Sequence, residues 1–348
     1  MALTLTDANP GDCGSLDPQI DLHVILMQRG EAGAVAASSL TERVRGRRAT
    51  SDVLSGRRGR RIIKAAKEHL DDRANAVEEA RSFVYSAWCH AGFPHKPPAA
   101  VGDTWLVQTD YVTLRVDPGR RPNDNSPVGL PYGSYARLLC IDWSTQAYTN
   151  RSREIELGKN LEDTIARLGL GRGGKTRHLL LDQAERLARC RLTFDIRGRG
   201  KSALINQTIV DTAIFQESPW GGRFVERVRL SEQFFQQLLQ YPVAIDLASI
   251  ASIRNSSMAI DIYCWLAFRL LSVTMDTEIS WAALKGQFGT GCAAMRTFKV
   301  VFAENLVLAK GVYLGARADL TERGITLRPS PPPITPARPL RPRDGRLL

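Results

Sequence analysis

Between residues 62 and 88 the chain reads IIKAAKEHLDDRANAVEEARSFVYSAW. Ile62, Ile63, Ala66, Leu70, Ala74, Val77, Ala80, Val84 and Trp88 recur at steps of three and four, the spacing of one helix face, which predicts an α-helix. The loop AGFPHKPPAAVGD breaks the pattern, and apolar positions then alternate. Thr104–Thr109 and Tyr111–Val116 are predicted as paired strands around Asp110. After the turn-rich DPGRRPNDNSPVGLP, YARLLCIDWSTQAYT (135–149) is predicted as a helix, and the alternation from Arg153 to Leu157 as a short strand.

From there the pattern recurs. REIEL, GKNLEDTIARLGL, a glycine stretch and TRHLLLDQAERLARCRLTF resemble TEISW, AALKGQFG, a second glycine stretch and MRTFKVVFAENLVLAKGVYL. Glu154 and Ile155 align with Glu278 and Ile279, while Arg177, Ala184, Glu185 and Leu187 align with Arg296, Ala303, Glu304 and Leu306. The change of offset falls in the glycine turn, where length varies most easily. Each copy reads helix, short strand, helix, glycine-rich turn, helix and two strands. The final strands are predicted at Cys190–Ile196 and Ala203–Phe215, then at Tyr313–Leu320 and Ile325–Arg328. A helix-turn-helix backed by a strand pair is the pattern of a winged helix.

The expected fold class is therefore α+β, mostly helical, with two tandem winged-helix domains at 61–216 and 217–328. Residues 1–60 mix Gly, Ser, Asp and Arg without sustained periodicity and are expected to form a disordered arm. The last twenty residues, 329–348, contain seven prolines and four arginines and are expected as an extended tail.

The first glycine turn, GLGRGGKT (169–176), satisfies the phosphate-loop consensus G-x-x-x-x-G-K-[ST]. That chemistry needs a buried strand before the glycines, so that the loop amides and the next helix N-terminus converge on an anion. Here LEDTIARLGL precedes them, a helical pattern running into a glycine stop. An acid ending a second apolar strand is also required to hold magnesium, and the only LLLD, Leu179–Asp182, lies in the helix directly after the motif. The glycines are expected to turn the chain between two helices, with no nucleotide or other cofactor held there.

Charge sharpens this picture. The chain of 348 residues carries a net charge of +11 and a pI near 9.6, a surplus that suits a polyanionic partner. Eight arginines and one acid, Asp52, fall within Arg43–Arg61; nine Lys/Arg and three Asp/Glu fall within Arg172–Lys201. On the helix after the glycine turn, Leu180, Ala184, Leu187 and Ala188 are expected to face the domain. Lys175, His178, Asp182, Arg186 and Arg189 are expected on the other side, with Arg177 in the first turn. Cations at a helix N-terminus can meet guanine edges or phosphates in a major groove. Arg197, Arg199 and Lys201 form a basic hairpin tip suited to flanking phosphates. In the second copy the corresponding candidates are Arg296, Thr297 and Lys299 on the helix, with Arg317 and Arg323 in the wing. Double-stranded DNA is thus the expected partner.

Other chemistries lack support in the residues. The six cysteines are scattered without a C-x-x-C pair, which argues against zinc or a disulfide framework. Cys89, His90 and His95 lack the second cluster a metal site needs. The five histidines contain no H-x-H pair of the kind a nicking initiator uses, so no catalytic residue is expected. No apolar run approaches a membrane span, and the N-terminus lacks the pattern of a secretory signal. A cytoplasmic, non-enzymatic protein is expected.

One further stretch, PVAIDLASIASIRNSSMAIDIYCWLAFRL (242–270), resembles the plasmid replication initiators of the RepA type. The matching residues are Pro242, Asp246, Leu247, Asp261, Tyr263, Trp265, Leu266 and Arg269, supported by Ser231–Phe235, Ile279–Trp281 and Gln287–Gly289. The resemblance covers roughly residues 125–330. It implies winged-helix proteins that bind tandem direct repeats at a plasmid origin, help open an AT-rich segment, and recruit the host initiator and replicative helicase. It also implies monomers on origin repeats and dimers in repression. By their own physics Tyr263 and Trp265 belong to a buried helix, where aromatic rings serve packing. A transcriptional regulator built from the same modules is the alternative, distinguished by a lone palindrome rather than direct repeats beside its gene.

Overall fold

The computed structural model describes residues 81–110, 112–157, 161–197, 202–217 and 223–334. The arm at 1–60, the helical pattern at 62–80, Arg199, Lys201 and residues 335–348 lie outside the described residues. Among the described residues, eight α-helices and fourteen strands alternate along the chain, a mixed architecture rather than the mostly helical one expected.

Arg81–Tyr85 is strand β1, followed by a short 3-10 helix at Ser86–Cys89, where the periodicity predicts helix through Trp88. The segment RSFVY pairs antiparallel with Pro242–Asp246. Phe83, Val84 and Tyr85 suit a pleated surface once a partner strand is available, so tertiary pairing outweighs the local helical spacing. The paired strands around Asp110 form as expected, β2 at Trp105–Gln108 and β3 at Val112–Asp117. A small hairpin follows, β4 (Gly119–Arg120) with β5 (Pro127–Gly129). The long helix α1 spans Gly133–Asn150 and ends on Arg151 in the left-handed conformation.

Two units of the same topology follow one another, the first opening on α1. In the first, β6 (Glu154–Glu156), α2 (Leu161–Arg167) and α3 (Gly174–Arg189) lead to β7 (Arg191–Arg197), β8 (Ser202–Thr208), β9 (Val210–Glu217) and β10 (Arg223–Leu230). The linking segment contains α4 (Glu232–Gln240), β11 (Pro242–Asp246) and α5 (Leu247–Ile253). The second unit contains α6 (Ser257–Arg269), β12 (Thr277–Ser280), α7 (Trp281–Phe288), α8 (Met295–Val312), β13 (Ala318–Leu320) and β14 (Gly324–Leu327).

Each unit closes with a three-stranded antiparallel sheet whose last strand lies in the middle. The orders are β6-β10-β9 and β12-β14-β13. Ile155 faces Val228 in the first sheet and Ile279 faces Ile325 in the second, and Ile155, Val228 and Ile325 are fully buried. The alignment of Glu154–Ile155 with Glu278–Ile279 thus marks the same strand of two similar sheets. Helix starts in the second half are set by side-chain caps at Ser231, Asp246, Ser256 and Ser280, each accepting from backbone amides of the first turn.

The strands after α3 differ from expectation. Residues 203–215, expected as one strand, are two, and they part at Ile209. β8 joins the sheet β2-β3-β7-β8, while β9 joins the sheet β6-β10-β9. The hairpin bearing Arg197 therefore lies between α3 and the β9–β10 hairpin. β9 and β10 pair from Arg223 with Glu217 onward. Ile209 is 1% exposed, and this buried corner is where the chain changes sheets.

The units share one continuous core. It runs from Val84 and Trp88 through Leu139 and Trp143 to Phe298 and Phe302. Trp281 packs edge-to-face on both Phe298 and Phe302. As expected, Tyr263 and Trp265 on α6 are buried. The expected tail begins later than residue 329. Tyr313 donates its hydroxyl to the Pro331 carbonyl at 2.7 Å, and Ile334 is 4% exposed.

Candidate nucleic-acid interface

The element ahead of the glycine motif is α2, a helix, so the context of a phosphate loop is absent. Gly169 takes φ of 61°, and the Leu170 amide reaches back to the Ile165 carbonyl at 2.9 Å. This is a helix stop of the left-handed glycine type. Gly171, Gly173 and Gly174 stand in open space, with nothing within 4 Å of an added Cβ. The glycines turn the chain between α2 and α3, and all of Gly171–Lys175 is exposed.

The faces of α3 fall largely as the periodicity predicts. Leu180, Ala184 and Leu187 are buried, joined by Gln183, whose amide oxygen accepts from the Tyr132 backbone amide at 2.7 Å. Lys175 and His178 are exposed and Arg177 is half-exposed, its Nε on Glu162 Oε1 at 2.6 Å. The C-terminal half of the expected contact face is covered. Arg186 Nε bonds Asp182 at 2.9 Å, its Nη1 reaches the Leu130 carbonyl at 3.2 Å, and its guanidinium lies over the Tyr132 ring. Arg189 pairs with Glu185 at 3.2 Å and lies over Phe215.

The cover is the β4–β5 hairpin. A Cβ at Gly119 would overlap the Arg189 backbone, and one at Gly129 would overlap the Arg186 guanidinium, so glycine is what allows the hairpin to seat on α3. Its turn carries two exposed arginines that the sequence presents only as loop. Arg120 donates to the Asn125 carbonyl at 2.6 Å and Arg121 pairs with Glu185 at 3.3 Å. The GRRPND turn composition marks a loop, and nothing local shows that it rests beside α3.

Arg197 ends β7, exposed, beside the hairpin tip. Between β10 and β6, Arg227 pairs with Glu156 and Arg229 with Glu154, both at 3.3 Å. Arg153 ties this sheet to its surroundings through Asp211 at 2.7 Å, Glu232 at 2.6 Å and the Leu230 carbonyl at 2.8 Å.

On α8, Phe298, Phe302, Leu306 and Ala309 face inward. Arg296 and Thr297 are exposed in the first turn. Lys299 lies with its ammonium 5.0 Å from the Trp281 ring centre. Val300, which sequence inspection passes over, is 53% exposed on the same outward side. Arg317 is exposed just ahead of β13, its amide held by Ser330 Oγ at 3.0 Å. Arg323 is exposed at the β13–β14 turn, which Trp281 holds through the Thr321 and Arg323 carbonyls.

The two units thus each present the N-terminal end of their third helix and a strand hairpin to solvent. Among the described residues no group of three His, Cys, Asp or Glu could hold a metal ion, and no helix is long and apolar enough to cross a membrane.

Comparison with known proteins places this arrangement. Residues 130–283 match the family model described as Plasmid encoded RepA protein. The match runs from just before α1 into α7. Two solved structures of domains 2 and 3 of RctB are also similar. One is 11% identical with a TM-score of 0.43 and covers 68% of this chain and 94% of its own. The other is 10% identical with a TM-score of 0.41 and covers 70% of this chain and 94% of its own. No curated protein matches.

Proposed function

We propose that this chain is a non-enzymatic initiator of plasmid replication that binds double-stranded DNA sequence-specifically through two tandem winged-helix units. In this reading α3 and α8 are the recognition helices, and the hairpins β9–β10 and β13–β14 are the wings. The β7–β8 hairpin adds Arg197 against flanking phosphates. The observation that carries the reading is the match of residues 130–283 to the RepA model; the repeated helix-and-sheet topology gives it a means of reaching duplex DNA. The natural target is a set of repeats in the plasmid origin, and origin opening and recruitment of the host initiator and replicative helicase in the cytoplasm would follow from binding there.

Phosphate neutralisation supplies affinity in such an interface and base-edge contacts supply discrimination. A gel-shift titration on the replicon's own repeats tests this. If six to ten phosphates are neutralised, affinity should fall by about a thousandfold or more between 50 and 200 mM salt. A flat salt response, or equal affinity for unrelated duplex, would overturn it. ATP turnover measured alongside is expected to stay at background.

A further inference from the structure

Among exposed apolar residues, Val300 differs from the others by its place. Single exposed valines are ordinary, but this one lies on the outward stripe of α8. It stands one turn beyond Arg296 and three residues beyond Thr297, both exposed. The stripe continues through Ala303 and Val307, which are half-buried. Lys299, the other cation of this first stretch, is drawn aside onto the Trp281 ring, so the middle of the helix surface is a methyl-bearing strip with one arginine at its N-terminal end. The first two turns of α3 are different in kind: Lys175 and His178 carry the exposed side chains there, and Leu180 is buried.

In a major groove the N-terminal residues of a recognition helix meet base edges. An apolar side chain or a threonine methyl has one specific partner there, the 5-methyl group of thymine. Arg296 beside the strip, with Arg317 and Arg323 exposed on the wing, supplies the charge that brings a duplex to it. We propose that Val300, with Thr297, reads thymine methyl groups, so that α8 selects T-containing steps while the N-terminal turn of α3 holds phosphates. This rests on the DNA-binding reading above and assigns the two helices unequal parts in it.

The experiment uses the full chain and a duplex it enriches from a random-sequence pool, resynthesised with deoxyuridine replacing each thymidine in turn. Uracil keeps every hydrogen-bonding group of thymine and lacks only the methyl. At one or two positions the wild-type protein is expected to lose about fourfold in affinity, the effect of exposing one buried methyl group. Val300→Ala should bind the thymidine duplex about fourfold more weakly and show little further loss at the same uridine positions, with an unchanged melting temperature because the side chain is exposed. Enriched sequence with no uridine effect, or uridine effects equal in wild type and Val300→Ala, would overturn the assignment while leaving DNA binding intact. A pool yielding no enriched sequence would remove sequence-specific binding itself and this inference with it.

Discussion

Arg137 of α1 and Asp261 of α6 meet side to side, Nε to Oδ1 and Nη2 to Oδ2, each at 2.6 Å. The same guanidinium donates to the Phe93, Pro94 and Gly133 carbonyls at 2.6, 3.2 and 2.9 Å. Gly92 lies against the pair, where a Cβ would come within 3.0 Å of Asp261 Oδ2. One buried arginine thus joins the first helix of each unit and the loop at Phe93–Pro94 that precedes α1.

Removing either partner would leave a buried charge without its counter-ion, which costs about 3–5 kcal/mol. Asp261→Ala is therefore expected to lower unfolding free energy by that order, read from urea denaturation. Arg137→Met made in the Asp261→Ala background should cost much less than alone, because the interaction it would break is already gone. Strictly additive effects would show that the pair does not couple the units.

His95 sits beside this pair, its Nδ1 3.0 Å from Ser257 Oγ and 4.0 Å from Asp261 Oδ2. Burial and then the Arg137 charge push its pKa down to about 4, against a pull upward from Asp261. Burial and the Arg269 charge likewise hold His90 at about 4. The unfolded chain binds these protons near pH 6.5 and the folded chain only near 4, so below 6.5 the unfolded state holds more protons. Stability should be full above about pH 6.5 and decline as pH falls towards 4. Denaturation midpoints across this window are expected to show the slope, reduced in His95→Gln. A midpoint independent of pH would contradict it.

Much of this was legible in the sequence where local pattern and tertiary setting agree. The helix at 135–149, the strands around Asp110, the buried Tyr263 helix and the repeat around Glu154 and Glu278 all follow from spacing. What escaped was decided by partners distant in sequence. RSFVY becomes a strand because PVAID, over 150 residues later, lies beside it. Residues 203–215 divide because Ile209 turns into the core between two sheets, which no periodicity announces. Arg186 reads as a surface cation by helical angle alone; only the β4–β5 hairpin, folded back over α3, shows it anchored to Leu130 and Tyr132. Val300 lacked the charge by which nucleic-acid contacts are usually sought.

The two glycines that complete the phosphate-loop consensus have opposite demands. Gly169 has a positive φ, which costs a residue with a Cβ about 1–2 kcal/mol; Gly174 has open space around it. Gly169→Ala is expected to destabilise by about that amount. Gly174→Ala should change stability by less than about 0.5 kcal/mol and leave DNA affinity near wild type. A phosphate loop would reverse the emphasis, with Gly174→Ala abolishing nucleotide binding measured by calorimetry.

Lys175 and Arg186 share one helix and one charge, yet should behave differently on DNA. Lys175 is exposed at the open end of α3, where a contact to phosphate releases about one counterion. Lys175→Met is expected to weaken binding uniformly across sequences and lower the slope of log K against log salt by about one. Arg186 is committed to Asp182, the Leu130 carbonyl and the Tyr132 ring. Arg186→Met should leave the salt slope intact and instead lower the melting temperature, since it frees the hairpin that covers the helix. Salt titrations and melting curves of both variants separate the two roles. If Arg186→Met alone reduced the slope, the guanidinium would have to leave its place against Leu130 to reach DNA.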